Sequence, residues 1–203
     1  MRTFFIIAGF YVAGLAALSF GISLIITAGL GAGPWDAFFV GLSESIGLTV
    51  GSWTFIGGFV LILINAALLQ QKPDFSALIT MFLIGSFIDF WMLIVLAEAV
   101  PATFIQQAAI LTAGILCCGA GIASYLQSSF ARNPIDHAMI VFHTLTGRSL
   151  AFSKTALELM ILVAAFFIGG PIGIGTLIIA FLIGPLIQVF HRPVTAFRTR
   201  LTA

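Results

Sequence analysis

Six long apolar runs dominate this chain and constrain its fold more than any other feature. They lie at roughly 3–28, 51–70, 76–97, 104–127, 152–169 and 174–191. A helix needs about 20 apolar residues to cross a bilayer, and each run approaches or exceeds that length. The 203 residues are 61% hydrophobic and only 7% charged, with a mean hydropathy of +1.20. Soluble domains carry about 25% charged residues, and a soluble fold of this size could not hide so much apolar surface. The expected fold is therefore all-α and polytopic. The first run is longer than the 7–15 apolar residues of a signal peptide, so it is read as a retained span. The fifth and sixth runs are short and are separated by Gly169-Gly170-Pro171.

The charges orient these spans. The eight basic residues are Arg2, Lys72, Arg132, Arg148, Lys154, Arg192, Arg198 and Arg200. With the N-terminus inside, all of them fall in inside segments or at their edges, and the outside segments have none. Cytoplasmic loops are the Lys/Arg-rich ones, so both termini are expected in the cytoplasm. The arginines beyond His191 read as an anchor to anionic lipid. A net charge of +1 gives no sign of a nucleic-acid partner.

The chain also repeats itself. At an offset of 100, Ala13-Gly14 meets Ala113-Gly114, Gly21-Ile22 meets Gly121-Ile122, Pro34 meets Pro134, Asp36 meets Asp136 and Gly47 meets Gly147. At an offset of 99, Phe82-Leu83-Ile84-Gly85 meets Phe181-Leu182-Ile183-Gly184. Each copy, 1–100 and 101–203, holds three spans. An odd number makes the second copy enter the membrane from the opposite side. The reading is a single membrane domain of two inverted three-helix repeats, an architecture common among secondary transporters. The first helix of each copy carries small residues one turn apart, Ala17 with Gly21 and Cys117 with Gly121. Such pairs let backbones approach closely, so these helices are expected to pack near the pseudo-symmetry axis.

Two segments are too short to span. They are GAGPWDAFFVGLSESIG at 31–47 and ARNPIDHAMIVFHTLTG at 131–147. Each opens on Pro, which suits a first helical turn. Each has Asp two residues later, near the positive end of the helix dipole, and each stops at Gly. Trp35, Phe38, Phe39 and Leu42 form the apolar face of one; Ile135, Met139 and Phe142 form that of the other. Each is either an amphipathic helix lying in the interface or a re-entrant half-helix aimed at a substrate or ion. The Gly31-Ala32-Gly33 lead-in favours re-entry in the first copy; Ala131-Arg132-Asn133 is less permissive.

Ionisable residues inside a span need a reason. Asp89 lies in the third span, and its repeat partner is Gln188 in the sixth. The two could face a shared interior. Asp89 is either a functional carboxylate, including a proton carrier, or a structural hydrogen-bond partner. Lys154 and Glu158 read as an interfacial ion pair one turn apart, and Asn65 as interhelical glue. The adjacent Cys117 and Cys118 read as apolar packing residues. His137 and His143 are six apart and off one helix face, so no metal site is expected. No hydrolytic triad order, phosphate-binding loop or dinucleotide fingerprint is present. Neither an enzyme nor a bound cofactor is expected.

These residues carry a resemblance. The segments GPWD at 33–36, GLTVGSW at 47–53, LIGSFIDF at 83–90, TALEL at 155–159 and GGPIGIGTLIIAFLIGPLIQ at 169–188 resemble the YczE/YyaS/YitT group of bacterial integral membrane proteins, most closely the YczE type. The resemblance implies a multi-pass protein of the bacterial inner membrane with transporter-like function, and it brings no site residues of its own. From the residues, the expected function is a small secondary transporter or permease. Pro34, Trp35, Asp36, Asp89, Asn133, Pro134, Asp136 and Gln188 are the candidates for binding or coupling. An accessory or scaffold protein and a channel are the alternatives. The expected partners are the lipid bilayer, a small solute or proton, and a second copy of the chain.

Overall fold

The computed structural model describes residues 2–128, 130 and 133–202, and the elements among them are helical. Helix α1 spans Arg2–Ala28, α2 Pro34–Ile46, α3 Val50–Leu69 and α4 Ala77–Phe90, which continues as a π-helical turn over Trp91–Val95. Then come α5 at Phe104–Tyr125, α6 at Pro134–Thr146, α7 at Leu150–Phe167 and α8 at Ile174–Thr202. Six of these, α1, α3, α4 with its π turn, α5, α7 and α8, are long and apolar enough to cross a membrane. The two short helices are α2 and α6.

Local chemistry sets the boundaries. Thr49 caps α3 by accepting the Ser52 N–H, and Ser149 caps α7 by accepting the Phe152 N–H. Thr103 and Gln106 form a reciprocal capping box at the start of α5, which satisfies two otherwise orphaned donors. Gly47 and Gly147, both at positive φ (95° and 66°), end the short helices where a side chain would be strained.

One boundary differs from expectation. The sixth span was read to end at 191, but α8 runs on to Thr202 through Pro193. Interior prolines usually break helices; here side-chain contacts hold the extension to α5 and α1. Gln127 donates to Thr195 Oγ1 at 2.8 Å, Arg198 Nη1 donates to the Gln127 carbonyl at 2.7 Å, and Phe197 packs edge-on to Phe10 at 6.0 Å. A cation on carbonyls beyond the end of α5 also suits the negative end of that helix.

The chain folds into two compact units, each drawing on both halves of the sequence: residues 1–33, 87–130 and 173–203 form one, 34–86 and 131–172 the other. The first unit is built on α1 against α5, with α8 beside them. A Cβ on Gly14 would lie 2.4 Å from the Tyr125 nitrogen, and one on Gly121 2.4 Å from the Leu18 nitrogen. A Cβ on Gly21 would lie 2.6 Å from the Cys118 nitrogen, and one on Gly114 2.9 Å from the Gly21 carbonyl. The pair is therefore antiparallel and nearly backbone on backbone, as the small-residue pattern predicts. Cys118 is buried there. In the same unit Trp91 donates to the Ala16 carbonyl at 3.2 Å and packs at a tilt against Phe20, ring centroids 4.8 Å apart.

In the second unit the short helices interlock with the long ones: α2 packs on α7 and α3, and α6 on α3 and α7. The first half of α4 lies close to α3, where Gly85 leaves room for the Gly51 carbonyl and Gly58 for Met81.

Large apolar side chains cover the outside. Ile105 and Phe167 are each 81% exposed and Phe181 77%. Apolar exposure on this scale is the mark of a lipid-facing surface. The protein is a multi-pass membrane protein in contact with the bilayer.

Candidate functional site

The polar features gather in the second unit, around the N-termini of the short helices. Each short helix has 13 residues, a length of about 20 Å at 1.5 Å per residue. Their packing differs from the sequence expectation. The residues of α2 that are buried include Pro34, Ala37, Val40 and Gly41, and those of α6 are Pro134, Ala138 and Val141. The broad aromatic face expected for α2 supplies only Phe39 to this core, while Trp35 and Phe38 are half-buried. Small residues win the interface because α2 approaches the end of α7 at backbone distance. A Cβ on Gly170 would sit 2.2 Å from the Ala37 carbonyl, one on Gly41 would sit 3.0 Å from the Gly170 nitrogen, and Ser45 donates to the Ile168 carbonyl at 3.0 Å. The sequence carried a signal for this contact: Ala37 and Gly41 are the same small pair one turn apart that marks α1 and α5.

The start of α6 is built differently. Asn133 caps it, its side chain accepting the Ile135 N–H at 2.9 Å. That assigns Asn133 a structural duty where the first copy has Gly33. Ala131 and Arg132 lie outside the described residues. Pro134 is fully buried, and its carbonyl accepts from Asn65 Nδ2 at 3.0 Å. Asn65 thus joins α3 to α6, as the interhelical reading expected.

Trp35 from α2 lines a pocket of about 150 Å³ together with Ile135, Asp136 and Met139 from α6. Lys154 and Glu158 from α7 close it, and they form an ion pair at 3.7 Å. The N-terminal turns of the two short helices therefore share one pocket. Asp136 is exposed at its edge. Asp36 is part-buried and makes no hydrogen bond or ion pair among the described residues.

A larger cavity, about 460 Å³, opens where α6 stands off the end of α3. Asn65, Gln71, Lys72, Asp74 and His137 supply its polar groups, and Ile62, Leu69 and Ile140 much of its apolar wall. The turns after α3 and α7 are built alike: Gln71 N–H donates to the Ala66 carbonyl at 2.9 Å, and Gly170 N–H to the Ala165 carbonyl at 2.8 Å. At the α7 end, Gly170 and Ala37 close the gap. At the α3 end, Gln71 and His137 occupy the corresponding positions and line the cavity. Sequence reasoning passed over Lys72 and His137 because it weighed them as a topology charge and a failed metal ligand.

The remaining candidates lie in the first unit. Asp89 is half-buried, two residues before the π-helical segment, and π turns recur at functional sites. Gln188 is exposed on α8, a position that does not line an enclosed interior. Among the described residues no group of three or more potential metal ligands comes together.

Comparison with known proteins finds relatives along most of the chain. A family model described as a family of unknown function (DUF6198) matches residues 7–192. The uncharacterized protein YyaS of Bacillus subtilis is 42% identical over 89% of this chain and 90% of its own length. The uncharacterized membrane protein YczE of the same organism is 37% identical over 88% of this chain and 82% of its own length. An uncharacterized protein of Haemophilus influenzae is 26% identical over 87% of this chain and 79% of its own. No solved structure matches. The family match spans nearly all the helices described above and covers the segments at 33–36, 83–90 and 169–188, so this chain belongs to the DUF6198 family and is related to YczE and YyaS.

Proposed function

We propose that this chain is a small secondary transporter, a carrier and not an enzyme, working in a bacterial cytoplasmic membrane with both termini in the cytoplasm. In this reading its halves are inverted repeats and its solute passes through the second unit. The observation that carries the proposal is the pocket shared by Trp35 with Ile135 and Asp136. Helix α2 follows one candidate span and α6 follows four, so the two short helices start from opposite faces of the membrane. Helices lying flat on opposite faces would be separated by a hydrocarbon core of about 30 Å. A pocket lined by both N-termini supports re-entry of both. Half-helices that meet in this way point positive dipole ends at a common spot, as in carriers that bind substrate mid-membrane.

The inverted relation draws support from reciprocal contacts. Gly14 meets Gly121 as Gly114 meets Gly21. Ser43 donates to the Leu48 carbonyl at 2.8 Å, and His143, exactly one repeat later in sequence, hydrogen-bonds the Arg148 carbonyl. Helix α2 packs on α7 as α6 packs on α3. The two ends of this arrangement differ, one closed by Ala37, Gly41 and Gly170 and the other open as the larger cavity. Such asymmetry suits a carrier resting with one gate shut.

Uptake into proteoliposomes tests the proposal, with a panel of radiolabelled small solutes and ions, with and without a proton gradient. At least one solute should enter saturably, and a bulky thiol reagent on Trp35→Cys should block its entry. Uptake equal to that of protein-free vesicles for every solute, with folded protein in the bilayer, would reject the carrier reading.

A further inference from the structure

The larger cavity has a chemical character that the shape of the fold does not require. Asn65 is only 2% exposed. Its Nδ2 donates to the Pro134 carbonyl at 3.0 Å, and this fixes the amide, because a carbonyl accepts only from the nitrogen side. Its Oδ1 accepts nothing from any described residue, yet among those residues no fully enclosed side-chain oxygen or nitrogen lacks a partner. The oxygen is therefore open to the cavity that Asn65 lines. An acceptor left open in so buried a wall asks for a donor.

The exposed rim supplies both signs of charge. Lys72 lines the cavity and makes no ion pair among the described residues. Asp74 lines it too, with Oδ1 already occupied by the Ser76 N–H and hydroxyl and Oδ2 left over. His137, on the first turn of α6, adds a second group able to donate. Between these groups the wall is apolar, with Ile62 and Ile140 facing the space. A ligand that satisfies these groups at once needs N–H donors for Asn65 and Asp74, a carboxylate for Lys72 and His137, and an apolar body between them; the exposed Gln71 amide, which also lines the cavity, can donate or accept and so meets either end.

We propose that this cavity binds a small zwitterion of the α-amino-acid type, its ammonium on Asn65 Oδ1 and Asp74, its carboxylate on Lys72 and His137. The biological role of such binding rests on the carrier reading above; the binding itself does not. A few convergent polar groups on apolar walls are the usual make-up of a small-molecule site. A cation without a carboxylate leaves Lys72 unanswered, and a simple carboxylate leaves the Asn65 oxygen bare, so neither fits as well.

The test is thermal unfolding of the full chain in detergent. The probes are the twenty standard amino acids, their N-trimethyl betaines and their decarboxylated amines. We expect saturable stabilisation by at least one amino acid with an apolar side chain, and none by its betaine, which lacks N–H, or by its amine, which lacks the carboxylate. Lys72→Gln, at an exposed position with no internal partner, should keep the melting temperature of the unliganded protein and weaken the shift at least about tenfold in concentration. Asn65→Leu should abolish it; if that variant does not fold, Lys72→Gln alone decides. No shift with any amino acid, equal shifts with the betaines, or an unaltered response in Lys72→Gln would each overturn the proposal. Binding without uptake would retain this site and remove the carrier reading. Uptake of a different solute, unaffected by Lys72→Gln, would do the reverse.

Discussion

At the scale of single residues, two positions of the second unit stand out for opposite reasons. Gly170 has no spare space, because a side chain there would meet the Ala37 carbonyl at 2.2 Å. The obstacle is backbone, which cannot rotate aside. Overpacking of this kind costs about 1–3 kcal/mol, and each kcal/mol moves the melting temperature of a chain this size by about 2–4 °C. Gly170→Val should therefore melt several degrees lower, and thermal unfolding in detergent checks it; an unchanged melting point would mean the α2–α7 contact is looser than described. Asp36 is the reverse case. Its part-buried carboxylate has no cation or donor facing it among the described residues. A charge held away from water without a partner is destabilising, so Asp36→Asn should raise the melting temperature. Residues that keep such a cost are commonly functional ones, and the same substitution should lower solute uptake. A variant both less stable and fully active would remove Asp36 from the proposed path. The identity of Asp36 as a candidate was legible in the Pro-x-Asp repeat. That Lys72 and Asn65 line one cavity was not, because a wall assembled from α3, its following turn and α6 leaves no local pattern in sequence.

At the scale of helices, sequence patterns predicted contacts well where small residues were the cause. The glycines shared by the two halves, Gly14 with Gly114 and Gly21 with Gly121, form the α1–α5 seam. Gly21 and Gly121 could be read from their small-residue pairs, because small residues one turn apart permit close backbone approach; their expected companions Ala17 and Cys117 are only half-buried. The length of α8 was hidden, because the apolar run gives way to a basic tail beyond His191, and the contacts of Thr195, Phe197 and Arg198 that carry the helix onward are long-range. The buried face of α2 was misjudged for a related reason: amphipathic patterning weights aromatic bulk, while the interface is set by how closely backbones come. These contacts make a sharp comparison possible. Gly21→Leu combined with Gly121→Leu should leave little folded protein, since each new Cβ alone would lie within 2.6 Å of neighbouring backbone. Gly9→Leu lies on the same helix but has nothing within 4 Å, so it should express and melt like the parent. Size-exclusion profiles of the three proteins decide it; equal profiles would mean that the seam does not hold the first unit together.

At the scale of the whole molecule, the distribution of charge carries the topology. Once the six candidate spans are drawn, Arg2, Lys72, Arg132 and Arg148 fall in segments of one parity, and Lys154, Arg192, Arg198 and Arg200 lie in the parts of their spans that adjoin the same side. The re-entrant reading of α2 and α6 depends on this parity, because an odd number of crossings separates them. The connections of the opposite parity fit the same reading by omission. The turn after α4 holds Glu98 and no cation, and the turn after α7 is Gly169-Gly170-Pro171. A direct measurement is available because both native cysteines sit within α5 and can be replaced by alanine. In that background, Lys72→Cys and Arg200→Cys should react with a membrane-impermeant maleimide only in inverted vesicles, and Glu98→Cys only in intact cells. Ala37→Cys should resist the reagent from both sides, since its position is fully buried against the turn at Gly170. Labelling of positions 72 and 98 from the same side would break the parity. It would remove one candidate span from the membrane and put α2 and α6 on a single face. The shared pocket of Trp35 and Asp136 would then be a surface groove, and the argument for a path through the second unit would end with it.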